Sequence, residues 1–187
     1  AEKGKNIHIA MKITFEEAAF GTKKTININR TEKCDECGGT GAQKGTSPVT
    51  CSACHGRGEI RTSMGFFTTS RTCDVCRGRG TIIKTPCGAC HGQGAVRKSR
   101  KVEIRVPAGI DDGQAISLRG QGNHGRNGGP PGDIIVEFEV IPHPIFKRRG
   151  DDVLCEVPVT FVEAALGAEV EVPTLDGRVR YTIPEGT

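Results

Sequence analysis

Tryptophan is absent from this 187-residue chain, tyrosine occurs once, and aromatic residues make up only 4% of the sequence. That scarcity excludes a large aromatic core. No apolar run approaches the roughly 20 residues that a membrane-spanning helix needs, and no charged-then-apolar leader opens the chain, so no membrane partner is expected. The opening Ala1-Glu2-Lys3-Gly4 reads instead as the edge of an excised piece. No Ser-His-Asp order has local support, and no carboxylate pair sits in a setting that would perturb it, so the chain is not expected to be an enzyme. The glycine-rich loop from Gly120 to Gly132 lacks both a Lys-Ser/Thr pair and a preceding strand-to-helix turn, which argues against a phosphate cradle.

Glycine and cysteine are what the chain has, 26 and 9 of them. Nine cysteines without a leader point to a reducing, cytoplasmic setting, where such density means metal and not disulfides. The formal charge of +4 suggests nucleic acid only while every cysteine is counted as neutral. Eight thiolates around two zinc ions subtract eight and return four, and the tally falls to zero. The basic footprint of a phosphate binder disappears with it.

Eight of the cysteines fall in four copies of one phrase, Cys-x-x-Cys-x-Gly-x-Gly: "CDECGGTG" from Cys34, "CSACHGRG" from Cys51, "CDVCRGRG" from Cys73 and "CGACHGQG" from Cys87. Two thiolates with two residues between them can turn toward one tetrahedral ion while backbone amides aim at the sulfurs. Glycines just behind the second cysteine let the chain leave the turn with positive φ. Haem attachment would explain His55 and His91, but the same slot holds Gly38 and Arg77 in the other copies. A redox dithiol belongs at a helix start beside a βαβ pattern, and glycines stand there instead. A site of four thiolates keeps no open position for water and is structural.

The segment from Cys34 to Val96 contains few large apolar residues: Val49, Ile60, Met64, Phe66, Phe67, Val75, Ile82, Ile83 and Val96. These are too few to close a core, so metal must supply the order. Loops of 13, 18 and 10 residues separate successive pairs, and none forbids any of the three ways of building two four-cysteine sites. A nested pattern, second pair with third and first with fourth, suits an arm that leaves and rejoins one body. Spacing alone leaves all three open.

That body is repeated. "ITFEEAAFGT" from Ile13 matches "VTFVEAALGA" from Val159 at an offset of 146, whereas "VPAGI" ending at Ile110 matches "IPEGT" ending at Thr187 at an offset of 77. The first copy therefore holds 69 residues that the second lacks, and the 63 residues from Cys34 to Val96 account for nearly all of them. Each copy predicts a short helix opened by a capping box, Thr14 with Glu17 and Thr160 with Glu163, and ended at Gly21 or Gly167. Alternation at Ile7, Ile9, Met11 and Ile13, and at Val153, Cys155, Val157 and Val159, predicts a strand before each helix. Further strands are expected at "TININ", "VEIRV", "AISLR" and "DIIVEFEVI". Cys155, the odd cysteine, reads as a core thiol within its strand.

The fold class is mainly β: two similar small β-sandwich-like units with short helices, the first interrupted by an extended zinc-binding β-hairpin arm. The expected domains are 1–33 plus 97–148 for the first β-unit, 34–96 for the cysteine-rich arm and 149–187 for the start of the second β-unit. A small sheet with an open edge and a leftover apolar groove can accept an extended peptide as an added strand.

The four phrases, the interrupted repeat, "VPAGIDDG", "HPIFKRRGDD" and "EVPTLDGRV" together resemble the zinc-containing class of the DnaJ co-chaperone family, over essentially the whole chain. The resemblance implies a first β-unit that holds unfolded polypeptide in a hydrophobic groove, with Ile7, Ile26, Ile28, Val102, Val136 and Phe146 as the groove positions. It implies nested zinc sites, Cys34, Cys37, Cys87 and Cys90 in one, and Cys51, Cys54, Cys73 and Cys76 in the other, two Zn²⁺ per chain. Its partners would be unfolded clients and a DnaK-type ATP-driven chaperone that receives them. The family's His-Pro-Asp motif, Gly/Phe-rich linker and dimerisation segment are not present, and "HPI" at His143 is not that motif. A homodimer is implied for the full-length protein, and for this piece a monomer that binds clients weakly and does not stimulate ATP hydrolysis. Two other classes are set against this reading: a zinc-ribbon nucleic-acid-binding module and a thiol–disulfide oxidoreductase. The arm has 7 Lys/Arg against 4 Asp/Glu before four more charges are lost to two thiolate sites, which argues against nucleic acid as a partner.

Overall fold

The sequence repeat takes shape as two six-residue helices with matching ends. In a computed structural model, which describes residues 2–187, α1 spans Phe15–Phe20 and α2 spans Phe161–Leu166. In both, the N-cap threonine hydroxyl accepts from the N–H of the glutamate three residues on, and that glutamate's carboxylate accepts from the threonine N–H. Two orphan amides are satisfied at each start. Gly21 and Gly167 follow the last helical residue at φ +76 and +79, where a side chain would be strained.

Strands dominate the remainder. In chain order they are β1 (Ile7–Ile13), β2 (Thr22–Lys33), β3 (Val49–Thr50), β4 (Glu59–Met64), β5 (Phe67–Thr72), β6 (Thr81–Ile82), β7 (Ala95–Val106), β8 (Ala115–Leu118), β9 (Ile134–Val140), β10 (Phe146–Arg149), β11 (Asp152–Cys155), β12 (Ala168–Thr174) and β13 (Gly177–Ile183). One sheet has the order β1-β9-β8; the others are two-stranded, pairing β2 with β7, β3 with β6, β4 with β5, β10 with β11 and β12 with β13. The chain is mainly β, as its alternating pattern predicts. No helix among the described residues is long and apolar enough to cross a membrane.

Tertiary contacts gather into two compact units. Unit 1 comprises Ala1–Ile9, Ile26–Val102 and Ile116–Val136. It buries Ile28, Ile134 and Val136 and contains the whole cysteine-rich arm. Its glycine-rich loop is held by backbone bonds, among them Gly4 N–H to the Pro130 carbonyl and His124 N–H to the Thr31 carbonyl. Unit 2 comprises Ala10–Thr25, Glu103–Ala115 and Glu137–Thr187. It buries Met11, Ile13, Phe15, Ile104, Val106 and Phe138. The alternation carries through: on β9, Ile134, Val136 and Phe138 are wholly buried while Glu137 and Glu139 face solvent.

The second copy departs from the sequence expectation at one strand. Alternation from Val153 to Val159 predicts a strand up to α2, but β11 ends at Cys155. Its partner β10 is only four residues long, and Phe146 opposite Cys155 is the last pair. Beyond it Pro158 has no N–H to offer a ladder. Cys155 is half-buried, not a sealed core thiol. The hairpin of β12 and β13 closes over Leu175 and Asp176, with Thr174 opposite Gly177.

The capping box makes a quantitative expectation. Thr14→Ala removes an N-cap acceptor and should lower stability by about 1 kcal/mol in urea titration, with Thr14→Ser close to wild type. An unchanged midpoint for Thr14→Ala would show that the helix start does not depend on the hydroxyl.

Candidate metal centres

The arm is built as a ladder of short antiparallel pairings around its cysteines. An Ala42–Pro86 bridge, the β3–β6 pair and the β4–β5 pair succeed one another toward the tip. This nesting selects one of the three pairings that spacing leaves open. Cys34, Cys37, Cys87 and Cys90 form one group and Cys51, Cys54, Cys73 and Cys76 the other, with the sulfurs of each within 4.8 Å of one another.

Each group is two copies of the phrase facing each other with reciprocal backbone bonds. Cys34 N–H donates to the Gly94 carbonyl at 3.0 Å, and Cys87 N–H to the Gly41 carbonyl at 2.8 Å. In the other group Cys51 N–H donates to Gly80 and Cys73 N–H to Gly58, both at 2.9 Å. The last glycine of every copy also turns its own N–H onto a sulfur. Gly41, Gly58, Gly80 and Gly94 donate to Sγ of Cys37, Cys54, Cys76 and Cys90 at 3.2–3.3 Å. Amide donors on sulfur favour the thiolate form that a metal requires.

These four glycines have a second reason to be glycine. All have φ between +74 and +78. A Cβ at Gly41 or Gly58 would sit 2.5 Å from the carbonyl oxygen of Gly92 or Gly78, and one at Gly80 or Gly94 would strike that of Gly56 or Gly39. Each copy's last glycine thus meets the first glycine of the copy it faces. The slot directly after the second cysteine is left-handed as well, with His55, Arg77 and His91 at φ +50 to +51 and Gly38 at +61. All four are exposed, so the two histidines are turn residues pointing away from the metal groups.

The sulfur geometry fits a tetrahedral ion. Facing sulfurs lie 4.0 Å (Cys34–Cys87), 3.7 Å (Cys37–Cys90), 3.9 Å (Cys51–Cys73) and 3.6 Å (Cys54–Cys76) apart. A zinc–sulfur bond of about 2.3 Å sets tetrahedral sulfurs about 3.8 Å apart. All nine cysteines are free thiols. Seven of the eight in the phrases are buried and Cys37 is half-buried; Ile60 and Ile82 pack on the tip group and Val96 on the base group. Left to themselves, thiols this close do not ionise together. Burial opposes charge on Cys37, but the N–H groups of Gly41 and Gly39 and neighbouring sulfurs bring it down to about 6. The Cys37 amide favours a Cys34 thiolate, yet burial and the sulfurs of Cys37 and Cys87 push it up to about 11. A divalent cation is the chemical solution to four sulfurs in that position.

At the arm's base Arg100 makes a two-pronged contact with Glu32, each prong under 3 Å, and Arg30 adds a third; these guanidiniums hold the Glu32 carboxyl down at about 2. Lys98 pairs with Asp35 across the same stem. Arg79 donates to the Gly92 carbonyl at 3.0 Å, linking a copy from the tip group to one from the base group.

The six groove positions implied by resemblance are not alike. Ile7, Ile26 and Val102 are part-exposed, Ile28 and Phe146 are buried and Val136 is wholly buried. All of them except Phe146 belong to unit 1. Phe146 belongs to unit 2, where it lines a cavity of about 660 Å³ with Phe15, Ala18, His143 and Val153. Phe146, Phe15 and His143 cluster with ring centroids 4.8–6.2 Å apart, Phe15 stacked on Phe146 and edge-on to His143. His143 Nδ1 accepts from the N–H groups of Ile145 and Phe146, and its Nε2 meets Glu16 at 2.9 Å. Sequence reading gave Phe15 and His143 no role in a site; the two residues, in "TFEE" and "HPIF", lie 128 positions apart along the chain.

The close approach of facing glycines is testable in zinc-loaded protein. Gly80→Ala should release one of two metal equivalents early in a graded chelator titration, while Gly88→Ala, whose added Cβ meets open space, should keep both. Equal retention in the two variants would remove the backbone contact as a condition for metal binding.

Comparison with known proteins agrees with this geometry. The sequence profile described as "DnaJ C terminal domain" matches residues 7–187. A protein of Acetivibrio thermocellus named "Chaperone protein DnaJ" is 54% identical over 190 residues, covering 100% of this chain and 49% of the relative. Proteins of the same name from Geobacillus kaustophilus and Janthinobacterium sp. are 50% and 47% identical, each over 99% of this chain and 50% of the relative. The chain spans about half the length of these relatives. Four facing cysteine phrases within a repeated β-unit, matched end to end at this identity, place the chain in the DnaJ C-terminal domain family.

Proposed function

We propose that this chain is the client-holding part of a non-enzymatic co-chaperone. It captures exposed apolar segments of non-native polypeptides, limits their aggregation and passes them to a DnaK-type ATP-driven chaperone in a reducing cytoplasm. The observation that carries the reading is an open sheet edge bearing part-exposed apolar side chains. β1 is the outer strand of the β1-β9-β8 sheet, and β2 pairs only with β7, so both leave ladder groups free for an added strand. Ile7 and Ile9 on β1, Ile26 on β2 and Val102 on β7 are each half-covered. An extended client would take its affinity from main-chain hydrogen bonds there, and its preference for apolar residues from these side chains. Ile28 and Val136 would form the floor beneath, as their burial suggests. Phe146 fits this role less well, because it lies among Phe15 and His143 in unit 2.

Zinc is the metal we assign to both four-cysteine groups, on donor set and spacing. The role of the ions is to hold the arm's shape. In our reading the domains divide as 1–33 plus 97–148, 34–96 and 149–187, with the arm as a metal-folded insertion. Dimerisation and stimulation of the partner's ATPase would belong to the rest of a longer protein, and this piece would act as a monomer.

Two outcomes follow. Chelation should abolish amide dispersion from residues 34–96 while signals from β1 and β9 persist, because each structural zinc contributes on the order of 10 kcal/mol to a segment without a core. Simultaneous loss of both sets in NMR spectra would contradict an independently folded β-unit. Ile26→Asp should weaken calorimetric binding of an apolar heptapeptide by about tenfold or more, since it sets a charge against an apolar ligand, with two zinc equivalents retained. Undiminished affinity would take that face out of the groove.

A further inference from the structure

Phe15 and Phe161 hold the same position in the two repeated helices, yet Phe15 is 8% exposed and Phe161 88%. What covers Phe15 is a turn of the chain between β9 and β10. There the sequence runs Ile141-Pro142-His143-Pro144-Ile145, and His143 holds the end of the turn closed. Pro144 has no N–H, so the next two amides, of Ile145 and Phe146, both turn back onto the imidazole. They donate to His143 Nδ1 at 3.0 and 3.2 Å. Phe146 is thereby placed with its ring 4.8 Å from the imidazole and stacked on Phe15 at 6.2 Å.

A ring nitrogen that accepts hydrogen bonds carries no proton, so this network assigns the His143 proton to Nε2. Nε2 faces Glu16 Oε1 on α1, 2.9 Å away. The Glu16 carboxyl is held below its ordinary value by its own backbone N–H, against some burial, and by His143. It therefore stays charged. The other charged groups lining the cavity are not paired with the imidazole. Asp112 accepts from the Val140 N–H, Arg148 pairs with Asp111, Lys147 pairs with Glu156, and Asp151 lies at the wall.

A second proton on the ring reverses half of this arrangement. At Nδ1 it turns an acceptor into a donor facing two donors, and both bonds to the turn are lost. At Nε2 the contact strengthens, because imidazolium and carboxylate then form an ion pair. The ring stays on α1, and the backbone of Ile145 and Phe146 has to leave. Phe146 is the first residue of β10 and pairs with Cys155 at the end of the β10–β11 ladder, where a strand opens most readily.

We infer that His143 is the positioning residue of Phe146 and a proton-operated latch on the cavity of about 660 Å³ that Phe146 walls. Neutral, it closes Phe146 onto Phe15. Protonated at Nδ1, it frees Phe146 and opens both rings to an apolar client segment. This deepens the proposed client-holding function, on which it rests, by making the hold on apolar segments stronger as pH falls. Glu16 sets where on the pH scale the latch opens.

The test follows the zinc-loaded chain by NMR and calorimetry from about pH 8 to about pH 6, within the range where imidazoles titrate. Metal content is checked at each pH, since thiolate ligands also take up protons in acid. The Ile145 and Phe146 amide signals should shift together with the His143 ring nitrogens in one transition. Affinity for an apolar heptapeptide should rise by about threefold or more as the open state gains population. His143→Asn places an uncharged oxygen where Nδ1 accepts, on a side chain suited to bonding the N–H two residues on. It should keep the turn closed and the affinity level across this range. Glu16→Gln still accepts from Nε2 but supplies no charge, and should move the transition to lower pH. A wild-type pH response in either variant overturns the inference, as do amides that ignore the His143 titration. Affinity that stays flat beside the amide transition also overturns it and leaves client holding in place. No peptide binding at any pH strikes the client-holding function itself, and the inference with it.

Discussion

Two strands of the arm can face each other closely only because sulfur and glycine act at the same point. In each half-site one glycine turns its N–H onto a cysteine sulfur and its carbonyl onto the N–H of a cysteine in the facing half. The facing copy reciprocates, and the two are held at a distance that no Cβ would allow. Four sulfurs are thereby brought to within reach of one cation. The contact is strong because ion and backbone depend on each other. The amides lower the cost of thiolate charge, and the ion removes the repulsion that would otherwise part the thiolates. Everything farther out, including the β4–β5 hairpin, is ordered through this joint.

Division of labour follows from where apolar area is spent. The β-rich body has alternating strands with Ile13, Ile104, Ile134, Val136 and Phe138 almost wholly removed from water. The arm has almost none of this: besides the cysteines, Ala42 is its one buried apolar residue. Its stability must come from metal, and its apolar side chains are released for the surface. A segment that folds around ions can show aromatics to solvent without undoing itself, which a small hydrophobic core could not afford.

The sequence was most legible where a local phrase dictates local geometry. The four cysteine phrases, the two capping boxes, the alternation on β1 and the strand at β9 are each decided within eight or nine residues, and the structure has them as read. The offset between repeats predicts an insertion at the cysteine-rich segment by arithmetic alone, which needs no contacts. The cysteine pairing was not legible from spacing, since loops of 13, 18 and 10 residues are compatible with every arrangement, and only the family resemblance implied the nested one; it is set by reciprocal bonds between copies far apart along the chain. The same limit hid the Phe15–His143–Phe146 cluster. Alternation beyond Cys155 was misleading because a strand needs a partner as well as a pattern, and β10 ends too soon. Apolar residues counted as a weak core, Met64, Phe66 and Phe67, proved to be surface, which composition cannot distinguish.

The most direct test of this account is native mass spectrometry of fully reduced, folded protein together with single and paired Cys→Ser variants. The account requires two zinc ions on the wild-type chain. Cys51→Ser and Cys73→Ser, alone or together, should each leave one ion, and Cys34→Ser combined with Cys51→Ser should leave none. Fewer than two ions on the wild type, or loss of both on combining Cys51→Ser with Cys73→Ser, would contradict two independent nested sites.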